Sequence, residues 1–286
     1  MGKIIAILND KGGVAKTTTT INLGTALWLL GKKVLLVDTD QQGSLTQFLD
    51  KSSTLPDGEG YHTLYEWMEN PANSPVNERY PGLDFIPSSH SMAIAYMKFA
   101  AVTGHEMILR KRLSLVRDQY DYILIDCIPG GKNFMNTNVL VAADQLLIPM
   151  MAEPACITGI PNLMNFVSEV ETSYDKKIQV LGFLITRAEP NTLKYKQIKE
   201  YFHLHSEQLG GVLLPFHISK CTKAAESVTH EMSLFEYAPA CTSADDYMRI
   251  AEHLVGIPRR KNWTPKQWSD ICISAYTKFQ NSKNNK

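Results

Sequence analysis

Residues Asn9-Asp10-Lys11-Gly12-Gly13-Val14-Ala15-Lys16-Thr17-Thr18 follow an apolar run, Ile4-Ile5-Ala6-Ile7-Leu8, and lead into a helical pattern. A strand that turns through glycines into a helix N-terminus is the setting of a phosphate-binding loop. Gly12 and Gly13 carry no Cβ, so backbone N–H groups there can curl around phosphate oxygens, and Val14, Ala15 and Thr18 complete the candidate nucleotide-binding loop. Lys16 is placed to reach β- and γ-phosphates, and Thr17 to offer its hydroxyl to Mg²⁺. The positive end of the following helix adds to the same anion site. The generic spacing has glycine where this chain has Asp10 and Ala15. If residue 15 must adopt φ > 0, alanine there costs roughly 1 kcal/mol, which threatens nucleotide affinity or turnover.

Working outward, Leu23, Ala26, Leu27 and Leu30 form a helical stripe that Gly31 ends. Lys33 to Asp38 is an apolar run of strand length, and it delivers Asp38 and Asp40 to the C-terminal edge where open α/β sheets bind ligands. Tyr120 to Asp126 is a second such strand. Asp126 is a candidate for the Mg²⁺ shell, and the Pro129-Gly130-Gly131 turn after it for a γ-phosphate-sensing loop. Between these blocks, residues 51–82 are rich in Gly, Pro, Asn and Ser around a short candidate helix, Thr63 to Glu69, and are expected to form a surface excursion. Leu83 to Pro87 is expected to be a strand and 91–118 a helical region broken near Gly104. Further strands are expected over Gln145–Met150, Gln179–Arg187 and Val212–Ile218, alternating with helices near 156–175, 191–209, 219–230 and 243–255. Such alternation predicts an α/β fold, a single doubly wound domain with a mainly parallel sheet flanked by helices.

Formal net charge is zero, so bulk charge selects no partner. The charge is unevenly placed, however: from Arg259 onward there are seven basic residues against one acid. Five cysteines without a C-x-x-C pair favour a reducing cytoplasm over a disulfide framework or a zinc site. No apolar run reaches membrane-spanning length. Beyond the body at 1–258, the extension 259–286 carries an expected amphipathic helix over 264–280. Thr264-Pro265-Lys266-Gln267 reads as its capping box, and Trp268, Ile271, Cys272, Ala275, Tyr276 and Phe279 as its apolar face.

Lys11 to Thr18, Asp38-Thr39-Asp40-Gln41-Gln42-Gly43, Asp126-Cys127-Ile128-Pro129-Gly130 and Glu236-Tyr237-Ala238-Pro239 to Asp246-Tyr247 together resemble the ParA/MinD family of P-loop ATPases with a deviant Walker A loop. Small ParA (Soj-like) partition proteins are the most similar branch. The resemblance implies ATP and Mg²⁺ as cofactors and a slow, partner-stimulated ATPase. Lys11 is then the signature lysine that reaches across a nucleotide-sandwich homodimer, Lys16 its counterpart in cis, and Asp40 the residue that orients the attacking water. Thr17, Asp38 and Asp126 would organise the metal, and Arg187 and Pro215 would lie where the family contacts adenine.

The same resemblance implies nonspecific DNA binding in the ATP state, with Arg187, Lys194, Lys196, Lys199, Lys220 and Lys223 as candidate contacts, and release by a ParB-like adaptor. The expected location is the cytoplasm, on the nucleoid. A MinD-like membrane regulator using the C-terminal helix is the alternative. Its polar face (Gln267, Ser269, Ser274, Thr277) is poor in cations, which favours packing on protein over a membrane.

Overall fold

The computed structural model describes residues 1–50, 62–258 and 264–284. The start of the Gly/Pro-rich excursion, the Arg259-Arg260-Lys261 cluster and Lys286 lie outside the described residues, as do the side chains of Tyr276 and Phe279. Strands β1 (Lys3–Ile7), β2 (Val34–Asp38), β3 (Asn77–Tyr80), β4 (Leu83–Ile86), β5 (Tyr122–Asp126), β6 (Gln145–Met151), β7 (Gln179–Ala188) and β8 (Leu213–Ser219) form one sheet in the order β3-β4-β2-β5-β1-β6-β7-β8. Every neighbouring pair is parallel except β3 and β4. The expected doubly wound, mainly parallel sheet is therefore what the chain forms.

Helices α1 (Lys16–Leu29), α2 (Ser44–Leu49), α3 (Leu64–Glu69), α4 (Ala95–Phe99), α5 (Ile108–Ser114) and α6 (Phe134–Ala142) accompany the first half. Helices α7 (Pro154–Ile157), α8 (Ile160–Ser173), α9 (Leu193–His205), α10 (Thr222–Thr229), α11 (Leu234–Tyr237), α12 (Thr242–Val255) and α13 (Pro265–Asn284) follow. Alternate strand residues feed two cores, because successive side chains point to opposite faces. Ile4, Ala6, Leu35, Val37, Ile123 and Ile125 pack on one face, under α5, α6, α8 and α9. Ile5, Ile7, Leu36, Leu124, Leu147 and Leu184 pack on the other, under α1, α2, α11 and α12.

Two expectations need correction. The helical region 91–118 breaks at Gly104 (φ 70) as expected, but it is five short pieces, 3₁₀ turns at His90–Ile94, His105–Met107 and Arg117–Gln119 beside α4 and α5. The excursion 51–82 also holds an edge strand, β3, whose Asn-Glu-Arg-Tyr sequence carries no strand pattern. Tertiary contacts supply what propensity lacks. Tyr80 and Arg79 are buried and both bond to Glu236, and the Arg79 guanidinium also donates to the Leu49 carbonyl at 3.0 Å. Helix α13 lays Trp268 and Cys272 into the core beside this edge and leaves Ile271 and Ile273 exposed. Among the described residues no helix is long and apolar enough to cross a membrane.

Candidate functional site

Parallel register sets Ile7, Asp126 and Asp38 in a row at the C-terminal edge, so the chain leaves β1 into the loop 9–15 directly beside Asp126, with Asp38 one strand further out. The loop is tied down on both flanks. The Asn9 amide donates to the Pro149 carbonyl at 2.7 Å and its oxygen accepts the Lys11 N–H at 3.0 Å. Thr186, at the end of β7, donates to the Val14 carbonyl at 3.1 Å. Gly13 takes φ 74 and Ala15 φ 66, both left-handed, so the condition under which Ala15 is strained is met. A Cβ added to Gly12 or Gly13 would meet nothing within 4 Å, which leaves the backbone cradle open to a phosphate-sized group.

Lys16 is buried, and its ammonium donates to the carbonyls of Asn9 (3.1 Å) and Lys11 (2.8 Å). Burial lowers its pKa, opposed by the charges of Asp126, Cys127, Asp40 and Asp10. Asp126 is fully enclosed; burial and then the Asp38 charge push it up to about 8, against hydrogen bonding from the Thr17 hydroxyl. Thr20 also approaches it, at 3.4 Å. Two hard oxygen donors in contact beside an anion cradle suit Mg²⁺ with a phosphate group. Asp10 adds a buried carboxylate oxygen without a partner, and burial raises its pKa against the pull of Lys16.

Asp38 is bonded differently from Asp126. Its Oδ2 accepts the N–H (2.8 Å) and hydroxyl (2.7 Å) of Thr46, and its Oδ1 accepts the Asp40 N–H at 3.0 Å. Its carboxylate thus holds the loop 39–46, and burial pushes it up to about 6. Asp40 stands half-exposed on a cavity of about 620 Å³ shared with Gln42, Ile128, Pro129 and Phe134.

Sequence reasoning missed several supports of this site. Thr39 donates its hydroxyl to the Asp126 carbonyl at 2.6 Å. The Asn136 amide donates to the Gly130 (2.6 Å) and Gly131 (3.0 Å) carbonyls, and so holds the turn after Asp126. A hydroxyl at or just past the end of an apolar strand, as in Thr39 and Thr186, was the available signal.

The outlying candidates separate. Arg187 follows Thr186 at the same edge, exposed and with φ 49, a strained conformation of the kind that gathers at functional sites. Pro215 is not brought to that edge. It sits within β8, four residues before the strand ends at Ser219, and lines a separate cavity of about 260 Å³ with Tyr195, Lys199 and Phe202. Lys194, Lys196 and Lys199 stand exposed along α9. Lys220 is paired with Glu189 at 3.1 Å and Lys223 with Glu226 at 2.7 Å.

A family model described as an AAA domain matches residues 2–180. The sporulation initiation inhibitor protein Soj of Bacillus subtilis is 30% identical, over 89% of this chain and 98% of that one. The chromosome partitioning protein ParA of Caulobacter vibrioides is 28% identical, over 90% and 95% respectively. Among solved structures, cobyrinic acid a,c-diamide synthase from Mycobacterium smegmatis with bound ADP and magnesium superposes with a TM-score of 0.74 at 25% identity, covering 89% of this chain and 94% of that one.

Proposed function

Because the chain belongs to the ParA/Soj family of P-loop ATPases, we propose that it hydrolyses ATP with Mg²⁺ and uses the nucleotide state to partition DNA or position another large cargo. The observation that carries this is the meeting of Lys16, Thr17 and Asp126 at the mouth of an open glycine cradle. Bound Mg²⁺·ATP supplies the phosphoryl group to be cleaved and the charge that draws Asp126 into its ionised form. Gly12, Gly13, Val14, Ala15 and Thr18 hold the phosphates with Lys16. Thr17 would hold the metal, with Asp126 and Asp38 organising its water shell, while Asp38 also fixes the loop that carries Asp40. Asp40 orients the attacking water.

Lys11, half-exposed at the loop crest, extends to the phosphates of a second copy, where a cation supplied in trans stabilises charge on the transferring group. The body at 1–258 is the ATPase domain, and 259–286 is its basic extension. In the ATP dimer the exposed α9 lysines and Arg187 contact DNA phosphates without base readout, and the protein resides on the nucleoid. A ParB-like adaptor stimulates hydrolysis and release.

DNA binding of the purified protein with ATP, ADP and no nucleotide, at two salt concentrations, tests the proposal together with size-exclusion of the same samples. ATP-specific, salt-sensitive binding that disappears in Lys11→Ala, along with the dimer, is the expected result. ATP dimers that bind no DNA but float with anionic vesicles would replace it with the membrane-regulator reading.

A further inference from the structure

Cys221 and Cys241 lie twenty positions apart, and nothing in that spacing joins them. The fold does. Cys221 stands at the N-cap position of α10 and Cys241 at that of α12, and the Cys221 side chain is near enough to act on the Cys241 thiol. Backbone links hold this approach independently. Ser219, two residues before Cys221, donates its N–H to Asp246 Oδ2 at 2.8 Å, and its carbonyl accepts the hydroxyl of Ser243, two residues after Cys241, at 2.8 Å. Both thiols are free and half-buried, whereas Cys127, Cys156 and Cys272 are buried. Cys241 lines a cavity of about 520 Å³ with Ser219 and Asp245, and Cys221 is itself half-exposed, so a small oxidant reaches each thiol from solvent. Both cysteines have extended cap conformations (φ −143 and −76), so neither backbone is locked into a helical turn.

We propose that Cys221 and Cys241 are a reversible thiol–disulfide site, oxidised by hydrogen peroxide, whose closure ties α10 to α12 beside the base end of the nucleotide cleft and slows nucleotide release. The family resemblance puts Arg187 at the base, and Lys220 donates its N–H to the Ala188 carbonyl at 2.9 Å, one residue beyond it.

The order of steps follows from the environments. Burial raises the Cys241 thiol, which suits it to the second step, and the first attack is assigned to Cys221. The Cys221 thiolate takes one oxygen of the peroxide: an S–O bond forms, the O–O bond breaks, and the departing hydroxide is protonated to water. Cys241 gives up its proton and attacks the Cys221 sulfur; the S–S bond forms, the S–O bond breaks, and a second water leaves. The two thiols lose two electrons and the peroxide gains them. A cellular dithiol reverses the bond by exchange, in keeping with the transient character of cytosolic disulfides.

The test treats the full chain with peroxide or with dithiothreitol, digests it without reduction and maps cross-links by mass spectrometry. In parallel it follows release of a fluorescent ATP analogue. A Cys221–Cys241 peptide that dithiothreitol abolishes, with release several-fold slower after oxidation, is the expected outcome. In Cys241→Ser oxidation leaves release unchanged, and Cys221 is trapped as a sulfenic acid by dimedone. Cys241→Ala repeats the comparison should the serine disturb packing. Oxidation that yields only intermolecular links or a singly modified Cys241 would overturn the site, and a cross-link with unchanged release would overturn its coupling to the cleft. The release arm alone rests on nucleotide occupying that cleft, so a chain that binds no nucleotide fails there while the cross-link still forms.

Discussion

The hydroxyl of Thr186, at the end of β7, donates to the carbonyl of Val14 in the phosphate-binding loop at 3.1 Å, with the Met150 carbonyl sharing the same proton at 3.2 Å. This fully buried contact pins the loop to the sheet half that carries Arg187. Thr186→Val keeps the shape and leaves two carbonyls without that donor. A loss of about 1–3 kcal/mol in urea unfolding, together with weaker ATP binding by calorimetry, is expected. Unchanged affinity would show that the loop holds its form without the tie.

Ala15 occupies a left-handed conformation, φ 66 and ψ 36. Ala15→Gly removes a strain of about 1–2 kcal/mol, partly offset by about 0.4–1 kcal/mol of extra freedom in the unfolded chain. The nucleotide-free protein should therefore gain several tenths of a kcal/mol and bind ATP more tightly. Ala15→Val, branched at Cβ, should lose more than the glycine gains; denaturant titrations of the pair check the sign.

Stability and metal binding should depend on pH in opposite senses. Burial pushes Asp38 up to about 6 and Asp126 up to about 8, from 3.8. The folded chain then holds protons that the unfolded chain has released, so without ligand its stability is greatest at low pH and declines as pH rises through 6 and then 8. A bound cation displaces the Asp126 proton, so stabilisation by Mg²⁺·ATP grows over the same window. Between about pH 6 and about pH 8.5 the melting temperature of the free protein should fall, and the gap opened by Mg²⁺·ATP should widen. Asp126→Asn should flatten both trends; a free protein with a rising melting temperature would refute the assignment.

The lysines should not act alike on DNA. Lys194, Lys196 and Lys199 are exposed on α9, whereas Lys220 and Lys223 already face Glu189 and Glu226. Replacing an α9 lysine by alanine should lower the slope of log affinity against log salt by about 0.9 for each phosphate that it had neutralised. Lys220→Ala should change it much less. Equal losses at all positions would point to general field attraction in place of a docking face.

Trp268 is buried to 7% exposure, while Ile273 on the same helix remains 54% exposed. Trp268→Ala should destabilise the body by about 3–5 kcal/mol, and Ile273→Ala by no more than about 0.5 kcal/mol. Unfolding midpoints read the difference. A membrane-anchoring α13 would reverse the emphasis, with vesicle binding rather than stability responding to Trp268.

Local order along the chain was enough to specify much of this molecule. The apolar runs ending in Asp38 and Asp126 and the glycine turn before Lys16 are encoded within a few neighbouring residues, because strand period, turn geometry and helix start are short-range properties. They set a parallel sheet with a phosphate loop at its C-terminal edge. What tertiary structure alone decided are meetings between residues far apart in sequence. β3 became a strand because Glu236 pairs Arg79 and Tyr80 from across the fold, against its own weak propensity. Asp38 is tied to the loop 39–46 by Thr46, eight residues on. Ser219 rather than Pro215 stands at the C-terminal edge because of the register of β8 against β7, which no local pattern fixes, since a shift along a strand leaves its composition unchanged.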